Sequence, residues 1–280
     1  MRWSAGSNPD VEDRRGSGGG MRFGGRGLGV GGLLVVLVLS VVFKRDFLGL
    51  LGGGSDPSAP GQGPVESSPS EESLKSFVGA VLDSVQTTWD AELSRQGKVP
   101  YQHARLVLFR DAIESACGFA EAATGPFYCP GDKKVYVDLG FFQELAERFG
   151  APGDFAQAYV LAHEIGHHVQ FLLGTEQQVR SAMNRNPGEA NALSVALELQ
   201  ADCYAGVWAH WAAEHGTLET GDVDEALAAA AAVGDDRIAR MSGRAVNPDG
   251  FTHGSASQRS NWFKRGQGGG RLTDCEAFEH

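Results

Sequence analysis

The feature that most constrains the fold is an apolar helical pattern over residues 154–174, which carries His-Glu-Ile-Gly-His at 163–167. In a helix, residues four apart lie about 40° apart around the axis, so His163 and His167 can approach the same ion. Glu164 lies about 100° from His163, which brings its carboxylate within reach of a water molecule beside that ion. The pattern H-E-x-x-H therefore predicts a zinc site on a buried helix.

The helical context separates this motif from a chance match in a loop or a polar run. Asp154 is a candidate N-cap, and Gly174 is a candidate C-terminal stop. The adjacent His168 lies about 140° from His163 around the helix, so we expect it to point away from the ion. The alternative interpretation is a core helix whose histidines bind no metal.

A second helical pattern, from about residue 189 to 215, carries Glu198 and Asp202 four positions apart on one apolar face. Buried carboxylates without partners are costly, so this pair needs cations or donors beside it. We expect Glu198 to be the third metal ligand and Asp202 to accept a hydrogen bond from the second nitrogen of a ligand histidine. Two alternatives stay open: Asp202 as ligand with Glu198 as its support, and a capping or surface carboxylate pair without a metal.

Upstream of the predicted helix over 154–174 (the metal helix), two short apolar runs flank a Pro-Gly-Asp turn signal; the runs are Phe127-Tyr128 and 135–137. This arrangement predicts a β-hairpin. A proline lies on each side of the first run and cannot donate to a strand ladder, which suits Phe127 and Tyr128 to an edge strand. An edge strand beside a hydrolytic site can accept an extended substrate as a further strand. A purely structural hairpin is the alternative.

Two residues outside the metal helices are candidates for the site. His253 and Arg259 lie in the C-terminal stretch 251–266. Either side chain can stabilise an oxyanion as a carbonyl becomes tetrahedral, and we assign this catalytic role to His253. For a histidine that precedes a glycine, a place in a loop or a cap is the alternative interpretation.

The N-terminal residues differ in composition from the rest of the chain. Residues 1–26 are rich in Gly and Arg without apolar periodicity, which predicts a disordered tail. Residues 27–43 carry no charge and approach the length of about 17 to 25 apolar residues that a membrane span needs, so we predict a transmembrane anchor over 27–51. Residues 52–72 have linker composition, and 73–280 form the predicted folded domain.

The charges around the predicted anchor suggest its orientation. Arg14, Arg15, Arg22 and Arg26 precede it, whereas Lys44 and Arg45 follow the apolar run. The positive-inside bias then predicts a single-pass membrane protein with a cytoplasmic N-terminus and an extracytoplasmic domain. A cleaved signal peptide is the alternative interpretation of the apolar run.

Four cysteines are consistent with that compartment. An even count in an exported domain predicts two disulfides, and we favour Cys117 with Cys129 and Cys203 with Cys275. Buried free thiols are the alternative. A zinc site made of the four cysteines is disfavoured, because no pair has the close spacing that such sites use.

The net charge of −11 and the scattered basic residues argue against nucleic acid as a partner. The remaining patterns predict a mixed α+β fold. An amphipathic core helix is predicted around 74–89, a buried strand at 105–110, a short helix at 139–148 and a further helix from Asp222.

Taken together, these motifs resemble those of the bacterial neutral zinc metallopeptidases over roughly residues 70 to 280. The segments that carry the resemblance are Gly125-Pro-Phe-Tyr-Cys-Pro-Gly-Asp132, Val135-Tyr-Val-Asp-Leu139, His163-Glu-Ile-Gly-His-His168, Glu198-Leu-Gln-Ala-Asp-Cys-Tyr-Ala-Gly206 and Thr252-His-Gly254. The resemblance implies a zincin-like α+β domain, with a small sheet, an edge hairpin, an active-site helix and a second ligand helix, after a membrane anchor. It also implies that His163, His167 and Glu198 bind Zn2+.

The expected function is that of a membrane-anchored zinc endopeptidase acting on a peptide or protein substrate. In that function, Glu164 is the general base for a zinc-activated water, and Asp202 orients a ligand imidazole. Two alternatives are an envelope scaffold that zinc stabilises without catalysis and a zinc amidase acting on cell-wall peptides. Intact Glu164 argues against the scaffold, because a scaffold does not need the base.

Overall fold

The computed structural model describes residues 1–6, 8–16, 67–97, 99–121 and 125–278. These residues form a mixed α+β structure, which confirms the predicted class. The strands are β1 (Val11–Asp13), β2 (Arg105–Phe109), β3 (Ala112–Ser115), β4 (Gly118–Glu121), β5 (Phe127–Cys129) and β6 (Lys134–Asp138). The helices are α1 (Pro69–Gln96), α2 (Gly140–Glu147), α3 (Asp154–Leu172), α4 (Thr175–Arg185), α5 (Ala190–Glu214), α6 (Asp222–Ala232), α7 (Asp235–Met241) and α8 (Ala256–Gly269).

The main sheet has the strand order β1-β2-β6-β5. β1 and β6 run parallel to β2, and β5 runs antiparallel to β6. The predicted hairpin is therefore confirmed. Its first strand, β5, is an edge strand, because β6 is its one neighbour among the described strands. β3 and β4 pair with each other in a separate two-stranded sheet.

Helix α1 is defined by its ends and by its apolar spacing. Ser68 Oγ accepts a hydrogen bond from the Glu71 N–H, and the Glu71 carboxylate accepts one from the Ser68 N–H. Gly97 ends the helix in the left-handed region at a φ of 62°. Because this capping starts the helix at Pro69, residues 69–72 belong to α1 and not to the predicted linker 52–72. The predicted apolar face is buried, from Phe77 to Trp89.

Two close crossings determine how α3, α5 and α8 pack together. Gly166 of α3 faces Ala201 of α5, and a Cβ at position 166 would lie 3.0 Å from the Ala201 carbonyl oxygen. Gly206 of α5 faces Phe263 of α8, where an added Cβ would overlap the Phe263 carbonyl oxygen. Glycine at these two positions therefore permits the short separations between α3, α5 and α8.

Helix α3 agrees with the prediction with one difference at its start. Asp154 is the first helical residue, and Gly153 occupies the N-cap position. The Asp154 carboxylate accepts hydrogen bonds from the α-amino group of Met1, so it is committed to a partner outside its own helix. At the other end, Gly174 takes a left-handed φ of 75°, as a helix stop requires.

Both predicted disulfides are present, between Cys117 and Cys129 and between Cys203 and Cys275. The first joins the turn between β3 and β4 to β5. The second joins α5 to a short 3-10 helix, Leu272–Cys275, at the C-terminal end of the described chain. The alternative of buried free thiols is therefore wrong.

The prediction of disorder over residues 1–26 is wrong for residues 1–6 and 8–16. β1 extends the main sheet by parallel pairing with β2. The α-amino group of Met1 lies 2.7 Å from the Asp154 carboxylate at the start of α3. Composition misled here because polar residues with no periodicity are typical of disorder, whereas these residues find their partners in distant parts of the chain.

Among the described residues, no helix is both long enough and apolar enough to cross a membrane. The predicted anchor 27–51 lies outside the described residues, as do residues 17–26 and most of the predicted linker 52–72. The predicted orientation conflicts with the sheet, because a single crossing between β1 and β2 would put these paired strands on opposite sides of a membrane.

Arg15 tests whether the N-terminal strand belongs to the folded domain. Its side chain is fully buried, and its guanidinium lies 2.7 Å from both Asp13 and Glu72. We expect Arg15→Ala to lower the free energy of unfolding by about 2 kcal/mol, because two carboxylates lose this partner. Arg14→Ala is the matched control. That side chain is 39% exposed and pairs with Glu12, so we expect a change below about 0.5 kcal/mol.

Urea denaturation followed by circular dichroism measures both variants. Equal, small effects of the two substitutions would show that this segment does not pack on the domain in solution.

Candidate metal centre

Helices α3 and α5 bring the predicted metal residues together. α3 presents His163, Glu164 and His167, and α5 presents Glu198 and Asp202. The two helices approach closely at Gly166, which lies between the two histidines in the sequence. A larger side chain at that position would push α5, and Glu198 with it, away from the histidines.

The two histidines and Glu198 converge on one point. His163 Nε2 lies 3.3 Å from one Glu198 carboxylate oxygen, and His167 Nε2 lies 3.5 Å from the other. One donor atom from each of the three residues lies within 4.8 Å of the other two. Two imidazole nitrogens and one carboxylate oxygen are the three protein ligands of a common class of catalytic zinc site.

The second nitrogen of each histidine is already engaged. His163 Nδ1 lies 2.9 Å from Asp202 Oδ1, and His167 Nδ1 lies 2.9 Å from Gln170 Oε1. Both partners are oxygen acceptors, so each Nδ1 carries the hydrogen and donates it. In the neutral ring, Nε2 then keeps its lone pair for a metal. This arrangement fits a zinc ion held by the two Nε2 atoms and Glu198.

Asp202 is fully buried and has three further contacts besides His163. The Arg259 guanidinium donates to both carboxylate oxygens, at 2.8 Å from Nε and 2.9 Å from Nη2. The Tyr159 hydroxyl donates to Oδ1. Asp202 thus contacts His163 on its Nδ1 side, whereas Glu198 faces the Nε2 atoms of both histidines.

Burial and neighbouring charges determine the protonation of these carboxylates. Burial tends to raise the pKa of Asp202, but the charges of Arg259 and His163 outweigh it and lower the pKa. Burial likewise opposes ionisation of Glu198, but His167 and His163 hold its pKa well below the ordinary value. Both carboxylates are therefore ionised at neutral pH.

Two further groups at the centre have pKa values shifted upward. Burial disfavours a charged His163 ring, but Asp202 outweighs it and raises the pKa to about 10 when no metal is bound. Burial raises the pKa of Glu164, against the partly opposing charges of His163 and His167. A raised pKa is typical of a carboxylate that exchanges protons during a reaction.

Sequence reasoning missed two residues that orient the histidines. Tyr159 donates to Asp202, and Gln170 accepts from His167 and donates to the Leu197 carbonyl on α5. Tyr159 precedes His163 by four positions and Gln170 follows His167 by three, so both lie on the metal-facing side of α3. A search for hydrogen-bonding side chains three or four positions from each histidine would have identified both residues from the sequence.

The metal centre opens into a cleft of about 550 Å3. Residues from β5, α3 and the C-terminal part of the chain line it, among them Phe127, Tyr128, Glu164, Val233, His253 and Arg259. The predicted edge strand therefore lies at the wall of the same cleft as the predicted metal ligands.

Of the two candidates for oxyanion stabilisation, His253 is the accessible one. Its side chain is 53% exposed, and Nδ1 lies 3.2 Å from Asp235 Oδ1. Asp235 also accepts hydrogen bonds from the backbone N–H groups of residues 252, 253 and 254, which holds this loop in place. Arg259 is buried, and its guanidinium is committed to Asp202. Sequence reasoning missed Asp235.

Comparison with known proteins agrees with this geometry. A model of the family described as "Putative neutral zinc metallopeptidase" matches residues 1–278. The chain is 45% identical over 286 residues to the uncharacterized protein YpfJ of Escherichia coli (strain K12), covering 99% of both chains. It is 42% identical over 212 residues to the uncharacterized protein Rv2575 of Mycobacterium tuberculosis (strain ATCC 25618 / H37Rv), covering 72% of this chain and 69% of the relative. No solved structure matches.

Metal content distinguishes a ligand from an orienting residue. Glu198→Ala removes a donor atom from the convergent set, and we expect the purified variant to lose nearly all zinc. Asp202→Asn keeps the ligand set and weakens the orientation of His163, so we expect zinc affinity to fall by about 10- to 100-fold. Glu176→Gln is the matched control, because Glu176 lines the cleft outside the metal cluster.

Zinc affinity measured against a competing chelator, with total metal from elemental analysis, gives the comparison. A greater loss of zinc in Asp202→Asn than in Glu198→Ala would reverse the two assignments.

Proposed function

This chain belongs to the neutral zinc metallopeptidase family, and from that premise we propose that it is a zinc endopeptidase that hydrolyses peptide or protein substrates. The observation that carries the proposal is the convergence of His163, His167 and Glu198 on one point at the wall of a cleft that Glu164 also lines. When bound there, zinc supplies a Lewis acid that polarises the peptide carbonyl and makes a water molecule more acidic.

Glu164 is the general base of the proposed reaction. Its carboxylate takes a proton from the attacking water and delivers it to the leaving amine, a role that contributes about 10²- to 10⁴-fold in rate. The upward shift of its pKa by burial supports this assignment, because a poorly solvated carboxylate accepts a proton readily.

His253 and Asp235 stabilise the negative charge that develops on the carbonyl oxygen. Asp235 Oδ1 lies 3.2 Å from His253 Nδ1 and orients the ring. In an imidazolium both ring nitrogens are donors, so the charged ring would donate to the oxyanion from Nε2. Asp235 also accepts hydrogen bonds from the backbone N–H groups of residues 252, 253 and 254. These bonds hold in place the loop that carries the His253 side chain.

The substrate binds in an extended conformation along β5. β5 is the edge of the main sheet among the described strands, and Phe127 and Tyr128 line the cleft. Main-chain pairing to an edge strand gives affinity for any extended peptide, and the side chains that line the cleft determine which substrate side chains are preferred. The net charge of −11 disfavours nucleic acid as a partner.

The proposed place of action is an oxidising compartment at a membrane. The two disulfides support the compartment, since such bonds persist outside the reducing cytosol. The apolar composition of residues 27–51 supports attachment to a membrane. Because β1 pairs with β2, we place residues 8–16 on the same side of that membrane as the domain.

Glu164→Gln tests the proposed activity. The substitution keeps the size of the side chain and removes the base, so we expect zinc content to stay unchanged and kcat for peptide hydrolysis to fall by about 10²-fold or more. The assay follows cleavage of an unfolded protein and of quenched fluorescent peptides, with Glu144→Gln as control, because Glu144 is an exposed residue of α2 outside the cleft. Cleavage by Glu164→Gln at the wild-type rate would refute the mechanism.

The same assay separates the alternatives. A wild-type protein that binds zinc and cleaves no peptide would favour the scaffold, and cleavage confined to peptidoglycan stem peptides would favour the cell-wall amidase.

His253→Ala tests the proposed oxyanion donor. We expect kcat to fall by about 10²-fold with little change in KM, because the interaction forms as the transition state develops. His215→Ala is the control, since His215 is exposed and stacks on Trp211 outside the cleft. Steady-state kinetics on zinc-loaded protein measure both variants. A rise in KM at constant kcat would instead assign His253 to ground-state binding of substrate.

A further inference from the structure

His168 follows the ligand His167 directly, yet its ring lies away from the metal centre. The side chain is fully buried, and both ring nitrogens have partners outside α3. Nε2 lies 2.6 Å from the Gln102 carbonyl oxygen, and Nδ1 lies 2.9 Å from the Tyr128 hydroxyl. The proposed reaction uses neither contact.

These two partners determine the tautomer of His168. A carbonyl oxygen can only accept, so Nε2 carries the hydrogen and donates it to Gln102. In the neutral ring Nδ1 is then an acceptor, and the Tyr128 hydroxyl donates to it. The hydroxyl of Tyr128 on the edge strand β5 is therefore the donor, and Nδ1 of His168 on α3 is the acceptor.

Tyr128 is the middle residue of β5, a strand of three residues with one described neighbour in the sheet. Short edge strands are weakly held by their ladder alone. The Tyr128 ring packs on α3 as well, with its centre 5.3 Å from the His168 ring and 6.3 Å from the Phe171 ring. α3 and β5 are thus joined by the residue that follows a metal ligand.

We propose that His168 is a positioning residue for the substrate, which holds β5 through the Tyr128 hydroxyl at a fixed place relative to the metal ligands. Two adjacent residues of α3 then have different roles. His167 faces the metal, and His168 sets the edge along which an extended peptide chain pairs. The inference rests on the proposed function, and specifically on peptide binding along β5.

Tyr128→Phe is the sharpest test, because it removes the hydroxyl and keeps the ring that packs on α3. We expect KM to rise by about 5- to 10-fold for a peptide of about ten residues, the effect of losing one hydrogen bond. We expect a smaller rise in KM for a blocked dipeptide that is too short to pair with β5, and unchanged zinc content. Amide hydrogen exchange of residues 127–129 should become faster.

Tyr136→Phe is the matched control. Tyr136 lies on β6 beside β5, and its hydroxyl donates to Asp132 at 2.6 Å. The substitution removes the same group from the same hairpin without touching His168, so we expect it to leave KM for the long peptide unchanged.

His168→Phe completes a double-mutant cycle. If Tyr128 acts through His168, adding Tyr128→Phe to His168→Phe raises KM no further. Should His168→Phe fail to fold, Tyr128→Phe with its hydrogen-exchange readout still decides the inference. Equal changes for long and short substrates, or none for either, would overturn it while leaving the proposed function intact. A wild-type protein that cleaves neither substrate would overturn both.

Discussion

The structure depends on one buried carboxylate, Asp202. It accepts hydrogen bonds from Arg259 of α8 and from Tyr159 and His163 of α3, so it joins three helices at their common crossing. An ionised carboxylate with no exposure to water is tolerated because both of its oxygens accept hydrogen bonds and the Arg259 charge lies beside it. The orientation of His163, and with it the metal centre, follows from that requirement.

The charge balance of the centre favours a cation. Glu198 and Asp202 are held ionised, and Arg259 is held protonated because Asp202 outweighs the effect of its burial and raises its pKa. The proton that Asp202 favours on His163 supplies part of the missing positive charge when no metal is bound. A divalent ion would replace that proton, since metal binding requires the deprotonated imidazole. The geometry and the electrostatics of the centre therefore both favour a bound divalent cation.

Much of the site was predictable, and particular residues show why. His163, Glu164 and His167 lie in one helical turn, so their relation follows from helix geometry alone. Glu198 and Asp202 were found because two carboxylates in an apolar run need partners. Asp235 and the Tyr128–His168 contact were missed, because neither has a fixed sequence spacing to its partner. The N-terminal strand was missed because a Gly- and Arg-rich composition without apolar periodicity predicted disorder, whereas Arg15 pairs with Glu72 across a long separation in sequence.

Local sequence patterns were enough to predict the local elements: a helix with two histidines on one side, a second helix with a carboxylate pair, and a hairpin. These follow from short-range periodicity and turn chemistry, which act within a few residues. Tertiary packing determines which carboxylate faces the histidine Nε2 atoms and which lies on the Nδ1 side of His163. The placement of the two carboxylates depends on the close approach of α3 and α5 at Gly166 and Ala201. It also depends on the ion pair that Arg259 of α8 makes with Asp202. Contacts between distant segments are set by packing, and packing is a property of the whole fold.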